Sequence, residues 1–365
     1  MARVSASKAR AFTRNDSAAA ASFSRLWSKA ALLTMTVLVS WAVVAIRAPP
    51  PKICGAPGGP PVTAPRIKLR DGRYLAYKEA GVPKDQAKHK IVILHGYTRC
   101  RLALISASPD TIERLGVYMV SYDRAGYGQS DPHPARSVES EARDVEELAD
   151  SLGLGSKFYV LSVSLGAHGA WGCIKYIPQR LAGVALVVPV VNYFWPSVST
   201  PEGRAVFNKQ PLGDRLFLSV SHYAPWLVYW WLTQKILPTS STVNMNQADM
   251  CPSDRAAQEE TRESDAQERK EALQQGLSES LCRDSSVMFG KWPFDPAELE
   301  NPFEGENLTK KIIHVWQGEK DFLVPVELQR MVVKKLESWV EYHEIPERGH
   351  ILREFTDQIL ETLVS

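Results

Sequence analysis

The feature that most narrows the fold is a rhythm, in which short β-branched apolar runs are separated by stretches of helical spacing. Strands are expected near Arg66–Leu69, Tyr74–Glu79, Lys90–Leu94, Val117–Tyr122, Phe158–Val163, Val184–Val188, Lys311–Trp316 and Val340–Ile345. The run Ile91-Val92-Ile93-Leu94 is apolar on both faces, as a buried parallel strand requires. Between strands, Val138, Ala142, Val145, Leu148, Ala149 and Leu152 recur at helical spacing, with Glu139, Glu141, Arg143, Asp144, Glu146 and Glu147 on the other faces. That is the pattern of an amphipathic covering helix. Right-handed crossovers then predict an α/β fold, an eight-stranded and mostly parallel sheet with helices on both faces.

The rhythm breaks over residues 190–302, where an insertion of helical character is expected to cap the end of the sheet. Its first part is aromatic: Tyr193, Phe194, Trp195, Phe207, Phe217, Tyr223, Trp226, Tyr229, Trp230 and Trp231 put ten of the chain's 33 aromatic residues into 39 positions. These side chains either pack within the cap, line an apolar pocket, or dip toward a bilayer. From Asp254 to Asp284 the cap carries nine acids and five bases, which reads as a solvated helix surface.

The amino terminus is different again. Residues 1–52 hold eight bases and one acid, so they contribute +7 of a total of only +2, and the body is mildly acidic. The near-neutral total excludes a basic nucleic-acid binder. A 17-residue uncharged, mostly apolar run, Ala30–Ile46, lies at the short end of what spans a bilayer. A transmembrane helix is the leading expectation, with the body beyond the membrane by the positive-inside tendency. A cleaved targeting peptide and a helix of a soluble protein are the alternatives. The Pro/Gly-rich stretch that follows is expected to be an extended linker. The chain thus divides into a basic segment (1–29), an anchor (30–46), a linker (47–65), a core (66–189 and 303–365) and the cap (190–302). The location expected is a membrane, single-pass, with the secretory pathway favoured and a plastid as the alternative. Asn307-Leu308-Thr309 would accept a glycan if the body is lumenal. Five cysteines without a CxxC pair indicate neither a zinc module nor a disulfide framework.

Chemistry concentrates at Phe158-Tyr-Val-Leu-Ser-Val-Ser164-Leu165-Gly166, a β-run meeting a Gly/Ala-rich helix start at a serine. A sharp strand-to-helix turn would expose Ser164 Oγ at the carboxyl end of the sheet, with small residues, Ser162 and Gly166, two before and two after. The pattern SxSxG departs from GxSxG, and a plain turn serine is the other reading. A helix start also sets backbone N–H groups where an oxyanion would develop, the Leu165 N–H first among them.

This arrangement resembles the α/β-hydrolase superfamily from about Arg66 to the C-terminus. His95-Gly96-Tyr97 is similar to the family's loop after the third strand, which implies that the Tyr97 N–H is the second oxyanion donor. Tyr122–Ser130 resembles the turn after the fourth strand, a scaffold element. Gln317–Pro325 resembles the acid loop, with Asp321, and Ile345–His350 the histidine loop. The order Ser164, Asp321, His350 is that of this fold. The resemblance implies His350 as general base, Asp321 as the group that orients it, and no metal or organic cofactor. Asp295 is a rival acid. His168 and Cys173 read as packed helix residues. Ser164 argues against hydrolases that attack with an aspartate, and Phe355 takes the place of the acid in the HxxxxD pattern of acyltransferases. The Pro-rich linker followed by Lys68–Gly72 is similar to an uncharacterised, plant-type membrane-anchored subgroup. The expected function is hydrolysis of a small apolar or acyl ester, lipid esters included. The alternative is a small-ligand receptor on the same fold, with a lyase or peroxidase variant behind it.

Overall fold

The computed structural model describes residues 27–41, 43–44, 46–238, 240–241, 249–303 and 311–365. The chain divides after Arg47 into two units. In the first, the described residues from 27 to 46 are helical, and among the described residues no helix is long and apolar enough to cross a membrane. The expected anchor includes positions 42 and 45, and the acceptor Asn307 lies in 304–310; these positions fall outside the described residues.

The second unit is built on eight strands: β1 (Arg66–Lys68), β2 (Tyr74–Gly81), β3 (His89–Leu94), β4 (Val117–Tyr122), β5 (Phe158–Val163), β6 (Leu181–Val187), β7 (Ile313–Gly318) and β8 (Val340–Ile345). Their order is β1-β2-β4-β3-β5-β6-β7-β8. The β1–β2 and β2–β4 pairs are antiparallel, and every pair from β4 onward is parallel. All eight expected strands are present. The sixth begins three residues earlier than its β-branched run, because Gly183, which hides the pattern, pairs opposite Tyr159 beside an irregularity in the ladder.

Helices α1 (Pro109–Leu115), α2 (Val138–Ser151) and α3 (Ala167–Tyr176) follow β3, β4 and β5. On one face, Val92 and Leu94 meet Ala142, Val145 and Leu148 of α2 and Ala170 and Ile174 of α3. On the other, Ile91 and Ile93 belong to a second core. That core also holds Ile359, Leu360 and Leu363 of the last helix (Thr356–Val364). The alternation along β3 is the two-residue period of a strand buried on both sides.

Between β6 and β7 the chain leaves the sheet for the helical cap. Its helices are α4 (Pro201–Lys209), α5 (Leu212–Tyr223), α6 (Val228–Thr233), α7 (Pro252–Glu260), α8 (Arg262–Ala272) and α9 (Arg283–Phe289). The charged half is a solvated surface only in part: Arg255, Glu259, Glu260, Arg262, Glu263 and Lys270 are exposed, as expected, but the two ends of the stretch are not. Asp254 and Asp284 are fully buried. Asp284 takes both Arg124 Nη atoms at 2.5 and 2.6 Å, Tyr127 Oη at 2.7 Å, and also Arg136. Arg99 pairs with Asp265 and Glu268, and Arg101 bridges Asp123 and Glu271. The Arg124 and Arg136 charges hold the Asp284 carboxyl well below the usual range although burial opposes this. Cap and core are therefore joined through buried, bidentate ion pairs.

The Pro/Gly-rich stretch also differs from expectation. Lys52 N donates to Gln275 O at 2.9 Å, Cys54 is buried, and Thr63 N and Ala64 N both donate to Gln129 Oε1. Gln275 Nε2 in turn donates to Gly128 O and Ser130 O. Residues 48–65 form a strap on the body rather than a free linker, because two buried glutamine side chains supply the partners that a Pro-rich backbone lacks in itself.

Candidate active site

β5 ends at Val163 in extended backbone, and Ser164 turns the chain with φ of 54° before the helix begins. A non-glycine residue in the left-handed region costs on the order of 1 kcal/mol or more, and it holds the side chain out of the strand-to-helix corner. The other described non-glycine residues with positive φ are Thr98, Val188 and Glu347, which lie in the loops after β3, β6 and β8. Backbone strain is thus concentrated at the carboxyl end of the sheet, around Ser164.

The SxSxG departure has a steric explanation. A Cβ on Gly166 would lie 2.5 Å from Leu94 O and 2.8 Å from His95 O, so the start of α3 packs directly on the end of β3 and tolerates no side chain. Ser162 lies inside the ladder between Leu94 and Leu186, fully buried, and its hydroxyl has no partner among protein groups. The position two after the serine demands glycine; the position two before it accommodates a small side chain.

The three residues expected from separate motifs come together. His350 Nε2 is 2.9 Å from Ser164 Oγ, and His350 Nδ1 is 2.8 Å from Asp321 Oδ2. Asp321 follows β7, and its Oδ1 accepts the Leu323 and Val324 N–H groups, both at 2.9 Å. Asp295, the rival acid, accepts instead from Ser197 N, Ser197 Oγ and Ala297 N. Burial disfavours a charged His350, but the Asp321 charge and hydrogen bond, with the Asp254 charge behind them, outweigh it and raise its pKa.

The loop after β3 reaches the same corner, since a Cβ on Gly96 would lie 3.3 Å from Ser164 Cβ. Tyr97, the next residue, sends its side chain into the cap, where its hydroxyl lies 3.0 Å from Ser285 Oγ. Leu165 N, in the first turn after Ser164, has no acceptor within its own helix. His95 is structural: its Nε2 accepts Arg124 N at 3.1 Å, and burial together with the Arg124 charge pushes it down to about 3. His168 is buried with Nδ1 2.6 Å from Leu165 O and Nε2 3.3 Å from Arg124 Nη1, and Cys173 is buried in the same helix.

Two residues of the site escaped the sequence reading. Gln317, on β7, donates from Nε2 to Asp321 Oδ2 at 2.8 Å. Asp254, at the start of α7, accepts His350 N at 2.7 Å and Ile351 N at 3.0 Å, so the cap holds the histidine loop by its backbone. The only signal for Asp254 was a Pro252-x-Asp helix start, which also suits an exposed first turn.

Above Ser164 and His350 lies a cavity of about 50 Å³, walled by Val190, Tyr193, Leu218, Phe289, Phe322 and Val324. Of the aromatic cap residues, Tyr193 lines this cavity, Trp195, Phe217 and Trp231 pack inside the cap, and Tyr223 and Trp226 are exposed.

A sheet in this strand order, with a serine at the β5 corner and a histidine after β8, defines a hydrolase-type α/β architecture. A profile of the alpha/beta hydrolase family matches residues 91–361, and the chain belongs to that family. Solved structures of similar fold include an esterase from Rhodococcus sp. ECU1013 (TM-score 0.53, 15% identity, 82% of this chain and 98% of that one). An enol-lactonase from Burkholderia xenovorans LB400 matches with a TM-score of 0.52 and 16% identity, over 82% of this chain and 100% of the other. An esterase from Exiguobacterium antarcticum matches with a TM-score of 0.50 and 15% identity, over 83% and 100%.

Proposed function

We propose that this protein is a serine hydrolase acting on small apolar or acyl carboxylic esters through an acyl-enzyme. The reading is carried by the continuous path from Ser164 Oγ through His350 to Asp321, with separations of 2.9 and 2.8 Å, beneath a mostly apolar cavity that Gln210, Asp214, Ser240 and Ser241 also line. Ser164 Oγ attacks the ester carbonyl carbon while its proton passes to His350 Nε2. Leu165 and Tyr97 N–H groups take the oxyanion. Collapse breaks the ester C–O bond, and the imidazolium returns the proton to the departing alcohol. Water, deprotonated by His350, then releases the acid and regenerates the serine. Asp321 holds the Nδ1–H tautomer and stabilises the transient cation. The relatives named above as esterases and a lactonase agree with this class of reaction.

A fluorophosphonate probe should label the parent at Ser164 and leave Ser164→Ala unlabelled, with ester hydrolysis reduced by roughly a million-fold in the variant. An unlabelled, folded parent that is still thermally stabilised by a small ligand would replace this reading with that of a ligand receptor.

The same proposal places the protein at a membrane by a single amino-terminal pass, in the secretory pathway. The +7 segment and its uncharged run support this, as do the exposed Leu32, Leu33, Leu38 and Trp41 of the helical stretch and the likeness of Lys68–Gly72 to anchored plant-type chains. Carbonate-resistant membrane association, with a glycosidase-induced mobility shift that disappears in Asn307→Gln, tests anchor and side together. Full extraction by carbonate removes the anchor.

A further inference from the structure

On the outer ladder, away from Ser164, two imidazoles and a carboxylate share one face. β7 and β8 run parallel with His314 opposite Glu341 and Trp316 opposite His343. Alternate residues of a strand point the same way, so Glu341 and His343 both flank His314. His314 Nδ1 is 3.2 Å from His343 Nε2 and 3.6 Å from Glu341 Oε2, and His343 Nε2 is 3.9 Å from Glu341 Oε1. Zinc bound tetrahedrally at about 2.0–2.1 Å from nitrogen and oxygen separates its donors by about 3.3–3.4 Å. The three side chains stand close to that spacing already.

We propose that His314, Glu341 and His343 form a site for a divalent transition metal of the zinc type. Two of the donors are fixed by packing. His314 is buried, and the His343 ring stacks on Trp316 at 4.0 Å and 14°. Glu341 is exposed and closes the third position, leaving a fourth for water in a groove bordered by Lys311, Glu361 and Thr362. Lys311 does not compete for the centre, because its ammonium is turned onto the Glu337 and Val340 carbonyls. The ion replaces the proton the two rings share, and the ring that carried it adopts its other tautomer.

A second cluster of similar composition, Glu141, His168 and Asp284, shows what a filled site looks like. There Arg124 and Arg136 already supply the positive charge. At His314, Glu341 and His343 no arginine pairs with either imidazole or with the carboxylate among the described residues.

The test is calorimetric titration of chelator-stripped full-length protein with zinc chloride, alongside two variants chosen to fold. His343→Phe keeps the stack on Trp316 and removes a donor; Glu341→Ala removes an exposed carboxylate. The parent should bind one zinc and melt higher with it, and each variant should bind at least about tenfold more weakly while melting like the parent without metal. Cobalt chloride should give visible ligand-field bands in the parent that both variants lose. Variants that titrate like the parent, or a parent that takes up no zinc, overturn the site.

Discussion

The interior of the sheet and the seam where the cap meets the loops after β3 and β4 are held by opposite kinds of interaction. Along β3 and β5 the buried positions are apolar, with Ser162 an exception, and cohesion there is non-directional. Where the cap meets the loops after β3 and β4, charge dominates: Asp284 between Arg124 and Arg136, Asp265 and Glu268 on Arg99, Glu271 on Arg101. An apolar contact would let helices slide over the sheet end at little expense, whereas a bidentate guanidinium–carboxylate pair fixes one position and one orientation. That matters because Asp254, which grips the histidine loop, arrives from the cap. The charges set the register of the cap, and the cap sets the seat of His350.

The comparison breaks most decisively at Asp284. Asp284→Ala leaves two buried guanidinium groups without their shared partner, and should lower stability by about 3–5 kcal/mol in urea unfolding. That falls in the upper part of the roughly 2–5 kcal/mol expected of Leu94→Ala in the aliphatic core. A cost for Asp284→Ala well below that of Leu94→Ala would show that apolar packing, not charge, seats the cap.

The next test concerns what the cap lends to the site. Asp254→Asn keeps the shape but removes a charge that raises the His350 pKa, and it leaves one of the two backbone N–H groups poorly paired. The lost hydrogen bond should cost about 1–3 kcal/mol. His350 must be neutral to act as base, so kcat/KM falls on the acid side as it protonates. With the Asp254 charge gone its pKa drops, and the acid limb of the kcat/KM profile on a p-nitrophenyl ester should move to lower pH. An unmoved limb would confine Asp254 to a packing role.

The last pair of tests lies at the strand-to-helix corner, at the positions two before and two after Ser164, and ends on the smallest effect. Gly166→Ala forces a Cβ against two carbonyl oxygens and should cost about 1–3 kcal/mol, together with most of the fluorophosphonate labelling. Ser162→Gly removes a small side chain whose hydroxyl has no protein partner and loosens the strand backbone, and should change stability by about 1 kcal/mol or less with labelling intact. Equal losses in the two variants would remove the steric account of SxSxG.

The same contrast explains what could be read from the sequence. Aliphatic periodicity is local, so eight strands and the covering helix Val138–Ser151 were legible, and Ser164, Asp321 and His350 each sat in a motif just beyond a strand. Ion pairs are not local. Asp284 meets Arg124 across 160 positions and Asp254 meets His350 across 96, so their side chains looked like ordinary solvated charges. Gln317 was hidden for another reason: a polar residue on an apolar strand shows its purpose only when the carboxylate four residues on folds back to it. The pair His314 and His343 was equally silent, since strand pairing alone brings them together.

The strap over residues 48–65 has a mechanical side. β1 is only three residues long and pairs at the edge of the sheet, a seam that a pull along the chain could unzip one hydrogen bond at a time. The Lys52–Gln275 and Thr63–Gln129 contacts lie upstream of that seam. Tension reaching the body from its amino-terminal side therefore meets the turn after α8, at Gln275, and the loop after β4, at Gln129, before it meets the sheet edge, as a cable clamp relieves the solder joint behind it.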